Sequence, residues 1–530
     1  MRSMPPARAQ REFWANQRRY DGNRTYLRGL TYQKGRSPLT PAVAGSTANP
    51  HLPAKTYPPP DMDPVKIKFG TDGWRAIIAR EYTVDNVMRV AEGTALWLKQ
   101  QGGTRVVIGY DCRFGGEMFT EATARVLSKH GITSLVAPGF ISTPMVSLGV
   151  VKTGADLGVV ITASHNPPSY NGYKLKSKLG GPSVPDDVAA VEALIPDAVP
   201  TDVPSYEDIK AQGLVEEHDF EQIYLDHVTD KFDMDLIRNS GIGIAYDAMY
   251  GAGQSAMQKL LPDATHLHCE INPGFDGQAP EPIGRNLTEL SEAIKSNPKL
   301  DLGIANDGDA DRIGLFDGDG EFVDSHHILL LLLMYQYEFK GIKTGEVILT
   351  FSVTDKLKQL AEMYGLDYEV TKIGFKYIAE IMAEREVIVG GEESGGLAVS
   401  GHIPERDGIW IGLMIAEYMA KAGKSLKELV ADLYAKVGSF DCNRDDVHVE
   451  NDRKWEIVNN AKSDPFTEVG PYKVTKVAHV DGSKFYLDGD DRWFMVRPSG
   501  TEPVLRVYAQ GADAAEVRKI LDAARATMGI

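Results

Sequence analysis

From Val65 onward, short apolar strands alternate with amphipathic stretches, and this alternation constrains the fold of the 530-residue chain more than any other feature. Val106-Val107-Ile108-Gly109-Tyr110-Asp111 has the composition of a buried strand, and residues 117–130 carry apolar side chains at a helical period. Thr133-Ser134-Leu135-Val136 is the next strand, and Leu157-Gly158-Val159-Val160-Ile161 follows. Strands joined through helices pair in parallel, so the units are of βαβ type. A second unit runs from Ile242-Gly243-Ile244-Ala245-Tyr246, past Gly251-Ala252-Gly253, to Leu302-Gly303-Ile304-Ala305. A third holds Val347-Ile348-Leu349-Thr350 and Val387-Ile388-Val389. After Val437-Gly438-Ser439 a smaller α+β module begins, with strands at Trp493-Phe494-Met495-Val496 and Val504-Leu505-Arg506-Val507-Tyr508. It closes with a helix over 513–528, for which Asp513 is the N-cap and Glu516 stands at the capping-box position. A chain this long needs several cores. The expected domains are 62–205, 206–322, 323–438 and 439–530, with the acidic, proline-containing stretch 183–215 marking the first boundary.

Two loops at strand ends carry the chemistry. In Ile161-Thr162-Ala163-Ser164-His165-Asn166-Pro167-Pro168 the serine falls just past a buried strand, and Asn-Pro stops helix continuation and forces a tight turn. That puts a hydroxyl at the carboxyl edge of a sheet, where α/β proteins bind ligands, although alone it reads equally well as an ordinary strand-to-turn serine. In Asn306-Asp307-Gly308-Asp309-Ala310-Asp311-Arg312 only Gly and Ala separate three carboxylates, so the backbone can curl until they converge as hard oxygen ligands for a divalent cation, the plainer reading being a solvated acidic turn. An EF-hand fails here. Counted from Asp307, the turn glycine's position is held by Arg312 and the bidentate glutamate's by Gly318. Asp317-Gly318-Asp319-Gly320 is a hairpin turn.

Three further loops bear charge. Arg497-Pro498-Ser499-Gly500-Thr501-Glu502-Pro503 combines a guanidinium fork, two hydroxyls and a glycine that lets backbone approach an anion, which makes a phosphate cradle or, more plainly, a turn with a salt bridge. Gly390-Gly391-Glu392-Glu393-Ser394-Gly395-Gly396 offers carboxylates to vicinal hydroxyls, and alone reads as an exposed acidic loop. Phe69-Gly70-Thr71-Asp72-Gly73-Trp74-Arg75 ends on an arginine. Arg113 and Lys174 are further cations near the serine in sequence, and Arg113 reads most simply as a surface charge.

Charge then limits the partners. The net charge of −17 argues against general nucleic-acid binding, yet local arginines still admit an anionic substrate. Cys112, Cys269 and Cys442 are odd in number and far apart, which favours a reducing compartment, and a cytoplasmic location is expected. The aliphatic run 328–334 is too short to span a bilayer and reads as a buried helix, so no membrane association is expected. Residues 1–60 carry ten Lys/Arg against Glu12 and Asp21, leaving about −25 on the remainder. Residues 1–61 are expected to be a disordered basic extension, faintly like a transit peptide, or to precede a true start at Met62.

Together and in this order, the serine, metal, Gly-Glu-Glu-Ser-Gly and Arg-Pro-Ser-Gly-Thr-Glu-Pro loops resemble the α-D-phosphohexomutase family of phosphoglucomutases and phosphomannomutases, from about Val65 to the C-terminus. The resemblance implies three related α/β domains with mixed, mainly parallel sheets plus a smaller C-terminal α+β domain around one central cleft. It implies that Ser164 carries a phosphoryl group and that Ser164, Asp307, Asp309 and Asp311 bind Mg²⁺, with glucose 1,6-bisphosphate as activator and intermediate. Arg75 would add charge at the transferring group, and His165 and Lys174 would handle protons. Arg312, Lys376, Glu392, Ser394, Arg497, Ser499, Gly500 and Thr501 would bind a hexose phosphate. Many mannose-using relatives have Met and His where Glu393 and Gly396 stand, so the pattern looks more like glucose-preferring members. The expected activity is therefore phosphoglucomutase, with phosphomannomutase or dual specificity as the alternative, in a monomer or homodimer. A serine phosphohydrolase would have no need of the Arg497 loop. An inert sugar-phosphate binder would be expected to have lost Ser164 or an aspartate.

Overall fold

The computed structural model describes residues 64–70, 72–489, 491–499 and 503–530. The expectations for residues 1–61 lie outside the described residues.

The first sheet contains β1 (Trp74–Ile77), β2 (Arg105–Tyr110), β3 (Thr133–Val136), β4 (Leu157–Ile161), β5 (Tyr170–Ser177) and β6 (Val215–Glu217), in the order β1-β5-β4-β2-β3-β6. β4, β2, β3 and β6 run parallel, whereas β5 is antiparallel to both β4 and β1. Both faces are covered. Val106, Ile108, Val159 and Ile161 pack in one core with Val87, Leu98, Phe119 and Leu127 of the helices Val84–Gln100 and Gly116–Lys129. Val107 and Val160 face the opposite core, with Met145, Val146 and Val150 of the helix Thr143–Thr153. A strand buried on both faces must be apolar throughout, which is why β2 and β4 lack alternation. β6, expected in the second domain, is instead an edge strand of the first sheet, because its backbone pairs in parallel with β3.

The second sheet holds β7 (Ile244–Asp247), β8 (Thr265–Leu267), β9 (Leu302–Asn306), β10 (Ile313–Asp317) and β11 (Phe322–Val323), in the order β11-β10-β9-β7-β8. β7, β8 and β9 are parallel, and the β10–β11 hairpin is antiparallel. The third holds β12 (Glu346–Thr350), β13 (Tyr368–Thr371), β14 (Val387–Gly391) and β15 (Leu397–Val399), in the order β13-β12-β14-β15, with only β15 antiparallel. The helix Ser325–Met334 is buried along its length, as its aliphatic run requires. One apolar core runs through all three units, joining Val107, Tyr224, Ile304, Ile313, Leu331 and Leu413.

The fourth sheet is wholly antiparallel: β16 (Asp441–His448), β17 (Glu468–Val469), β18 (Tyr472–Ala478), β19 (Ser483–Leu487), β20 (Trp493–Pro498) and β21 (Val504–Gly511). Val496, Val507 and Ala509 pack under the helices Asn451–Ser463 and Ala514–Met528. Trp493, Met495 and Tyr508, on the other face, meet Phe351 of the third unit. Asp513 caps the last helix through the Glu516 N–H at 2.9 Å, but the Glu516 carboxylate reaches back to Ala512 N rather than to Asp513.

Candidate active site

Ser164 follows β4 and has φ +53°, the left-handed region that an L-residue other than Gly, Asn or Asp seldom occupies. The turn closes with Asn166 N donating to Ala163 O at 3.0 Å, and Tyr170 N to Pro167 O at 3.0 Å starts β5. Ser164 Oγ donates to Asp307 Oδ2 at 2.6 Å and lies 3.3 Å from His165 Nδ1. Serine and aspartates, about 140 residues apart in sequence, thus share one buried site. Arg113 is not a surface charge. It is 3% exposed, and its guanidinium is turned onto the backbone of the serine loop.

Asp307, Asp309 and Asp311 are fully buried, with ligand oxygens within 4.8 Å of one another. Ala310 takes φ +56° to curl the loop, and a Cβ on Gly308 would stand 2.6 Å from Ser164 O, so this spacer must stay small. Backbone bonds from Thr143 N to Asp309 O (2.9 Å), Ala252 N to Gly308 O (2.9 Å) and Gly408 N to Ala310 O (3.1 Å) pin the loop from three sides. Burial and the Asp309 and Asp311 charges push the Asp307 carboxyl well above its ordinary range. Asp309 is held below that range against burial, by Lys174 and by a 2.5 Å bond from Thr143 Oγ1. The Oδ1 atoms of Asp309 and Asp311 are buried without hydrogen-bond partners. Orphaned, converging carboxylate oxygens fit a hard divalent cation such as Mg²⁺.

The strand β5 delivers the central cation. Tyr173 and Leu175 face the core, so Lys174 and Lys176 share the opposite face. Lys174 Nζ lies 2.8 Å from Asp309, 3.0 Å from Asp311 and 2.9 Å from Asp72. Burial opposes its charge, but these carboxylates keep the ammonium above its usual pKa. Burial, with Arg312, Arg75, Lys174 and Arg113 around it, holds His165 well below its usual value. Arg75 NH1 reaches Asn166 Oδ1 at 2.8 Å, and Arg75 NH2 lies 3.7 Å from Asp72.

Several partners escaped the sequence reading. Arg406 NH2 bridges Asp72 at 2.5 Å and Asp311 at 2.7 Å, tying the first, second and third units together. Lys176 pairs with Glu405 at 2.7 Å. The charged run Pro404-Glu405-Arg406-Asp407 before the apolar helix Gly408–Ala422 was the available signal.

The Glu392 loop joins the metal loop through the Arg312–Gly396 bridge and the bond from Ile313 N to Gly395 O at 3.2 Å. Burial raises Glu392 to about 7, although Arg406 opposes it, whereas Glu393 bonds to Ser352 and stays below its usual value despite burial. Ser394 is part-exposed on the same loop. Arg312 NH1 lies 3.9 Å from Glu281, and Lys376 is part-exposed beside the Tyr377 ring at the start of the helix Phe375–Glu384.

On the fourth sheet Arg497 stands directly opposite Arg506, which in turn faces Asp446. Like charges facing across strands repel, an arrangement suited to holding an anion. Arg497 Nε pairs with Asp481 Oδ2 at 3.1 Å, and the same oxygen accepts Ile373 N of the third unit at 3.1 Å. Ser499 is buried in the loop, and Gly500 and Thr501 lie outside the described residues. Arg444 approaches Glu393 at 4.0 Å, so the fourth sheet faces the Glu392 loop.

Four domain families match the chain in order: phosphoglucomutase/phosphomannomutase alpha/beta/alpha domain I over residues 66–200, domain II over 222–320, domain III over 324–437 and the C-terminal domain over 447–527. A phosphoglucomutase/phosphomannomutase of Thermococcus kodakarensis is 31% identical over 86% of this chain and 96% of its own length. A phosphoglucosamine mutase of Corynebacterium aurimucosum is 29% identical over 85% and 97%. The crystal structure of a Thermus thermophilus protein assigned as a phosphomannomutase superposes with TM-score 0.77 at 30% identity, covering 88% of this chain and all of that one. At 17% and 16% identity, two structures of an Aspergillus fumigatus N-acetylphosphoglucosamine mutase share the fold, with TM-scores of 0.55 and 0.54. They were solved with GlcNAc-6P and magnesium and with glucose 1,6-bisphosphate, covering 88% and 87% of this chain and 97% and 95% of theirs.

Proposed function

We propose, from the premise that this chain belongs to the phosphoglucomutase/phosphomannomutase family, that it interconverts glucose 1-phosphate and glucose 6-phosphate through a phosphorylated Ser164. The observation that carries this reading is the 2.6 Å contact between Ser164 Oγ and Asp307 inside a trio of converging carboxylates.

Phosphoryl transfer needs positioning and charge neutralisation more than covalent chemistry from the protein. Asp307, Asp309 and Asp311 would hold Mg²⁺, which when bound neutralises charge on the phosphoryl oxygens. Ser164 gives its phosphoryl group to the free hydroxyl of a hexose monophosphate: the P–O bond to Oγ breaks and one to the sugar oxygen forms. The hydroxyl loses its proton and Oγ gains one. His165, 3.3 Å from Ser164 Oγ, and Lys174, within 3.0 Å of Asp309 and Asp311, are the candidates for moving these protons. The 1,6-bisphosphate then presents its other phosphate to Ser164. Arg75 and Arg312 flank the transferring group, Glu392 and Ser394 take ring hydroxyls, and Lys376, Arg497, Ser499, Gly500 and Thr501 hold the phosphate that is not reacting.

Glu392 and Glu393 side by side support glucose as the hexose. The phosphoglucosamine mutases among the relatives make glucosamine 1-phosphate the substrate to test against it. Coupled assays with glucose, glucosamine and mannose 1-phosphates, each with and without glucose 1,6-bisphosphate, test the reading. Glucose 1-phosphate should give the highest kcat/KM, with stimulation by the bisphosphate. A higher value for glucosamine 1-phosphate would reassign the substrate.

A further inference from the structure

Both terminal nitrogens of the Arg113 guanidinium are committed to the backbone around Ser164. Its NH2 donates to Ser164 O and Asn166 O, both at 2.6 Å. Its NH1 donates to Pro167 O at 2.8 Å and Tyr170 O at 3.0 Å. Nε faces Asp111 Oδ2 at 3.3 Å. The same carboxylate oxygen accepts Thr162 Oγ1 at 2.6 Å, and Oδ1 accepts the Arg113 N–H at 2.9 Å. Thr162 Oγ1 in turn accepts the Ser164 N–H at 2.8 Å. Asp111, Thr162 and Ser164 are buried like Arg113, so solvent does not substitute for the bonds among these four residues.

We infer that Arg113 is a positioning residue for phosphoryl transfer: with Asp111 and Thr162 it holds the serine loop in the strained turn that aims Oγ at Asp307. The inference rests on the proposed mutase reading for its catalytic consequence. Left-handed φ is costly for serine, and glycine, which would relieve it, lacks the hydroxyl. The conformation therefore needs bonds from outside the loop. A planar five-donor fork spans four carbonyls at once, which a lysine ammonium on a flexible stem does not. Arg113 contacts no atom of the hydroxyl. Its hydrogen bonds run to carbonyls and its ion pair to Asp111, so it acts on the hydroxyl through the position of Oγ rather than by contact.

The test compares wild type with Arg113→Lys and Arg113→Ala by steady-state kinetics, thermal melting and amide hydrogen exchange of a peptide spanning 162–170. Both variants should lose about a hundredfold or more in kcat, the scale of a misplaced reacting atom, with KM for the sugar phosphate changed less than about threefold. Exchange in 162–170 should rise while peptides of the fourth sheet are unchanged. Millimolar methylguanidine should restore part of the Ala variant's rate and protection. A folded Lys variant with wild-type kcat and exchange would overturn the inference, because charge alone would then suffice. A fall in kcat with unaltered exchange would overturn it too. Should the wild type prove to have no mutase activity, the proposed function fails, whereas the exchange comparison still decides whether Arg113 holds the loop. Should neither Arg113 variant fold, Thr162→Val removes the acceptor for the Ser164 N–H, and the same rise in exchange and fall in kcat is expected of it. Wild-type behaviour in that variant would overturn the inference.

Discussion

Ser164 combines three conditions that seldom coincide: a left-handed backbone, complete burial and a hydroxyl bonded to an aspartate. Ser164→Ala should remove nearly all turnover while shifting stability by less than about 1 kcal/mol, since only a small side chain is lost. Intact mass should show one phosphate on the wild type and none on the variant, and full activity in the variant would remove Ser164 from the mechanism. At the carboxylates, Asp309→Asn deletes one negative charge from a buried oxygen site in which the Oδ1 atoms of Asp309 and Asp311 lack partners. Its rate should fall steeply, recover in part at high Mg²⁺, and the wild type should lose its rate in EDTA. A wild-type rate that survives EDTA would show that the trio holds no catalytic metal.

At the scale of elements, the first and second units repeat a device. Asp-Leu-Gly opens both β4 and β9, and the preceding aspartates, Asp156 and Asp301, accept backbone N–H groups from Thr104 and Gly243 before the neighbouring strands. β2 and β7 both lead to Tyr-Asp, and Asp111 and Asp247 each accept the N–H two residues on. Their partners differ: Asp111 holds Arg113, whereas Asp247 holds His268 Nδ1 at 2.9 Å, with Glu289 on the other ring nitrogen at 3.2 Å. The bond to Asp247 leads the shift that raises His268 to about 9. A raised folded-state pKa gives stability that is full below about 6.5 and lost as pH rises through about 9. Melting temperature should therefore fall from pH 6.5 to 9.5 by more in the wild type than in His268→Gln. Equal slopes would mean that His268 is not charged at neutral pH. Much of this level was legible, because strand ends and turns follow from local chemistry. Asn166-Pro167 marked the serine turn, and Gly308 and Ala310 marked the curled metal loop. Arg113 was misread because four carbonyls brought together by a turn leave no trace in residue spacing. The pairing of β6 with β3 was missed for the same reason, since a three-residue edge strand has no period of its own.

Across the whole molecule, the contacts hardest to foresee are those between units. Arg406 meets Asp72 across 334 residues of sequence, and nothing local marks either as a partner of the other. The loop singled out Arg497 as a candidate anion ligand, but its register opposite Arg506 and its pairing with Asp481 are properties of the folded sheet. Arg497→Ala should cost about 1.5–3 kcal/mol in substrate binding, roughly tenfold to a hundredfold in KM, and raise dependence on added bisphosphate. Ser164 should still be phosphorylated in that variant, as intact mass would record. Unchanged KM and bisphosphate dependence would leave Arg497 as a structural partner of Asp481 only. The central claim is that phosphate moves from Ser164 to sugar and back without reaching water. It is tested most directly by mixing enzyme radiolabelled at Ser164 with unlabelled glucose 1-phosphate in one turnover. The label should leave the serine and appear in glucose 1,6-bisphosphate and then in glucose 6-phosphate. Label released as inorganic phosphate at the rate it leaves the enzyme would contradict the account and make the protein a phosphohydrolase.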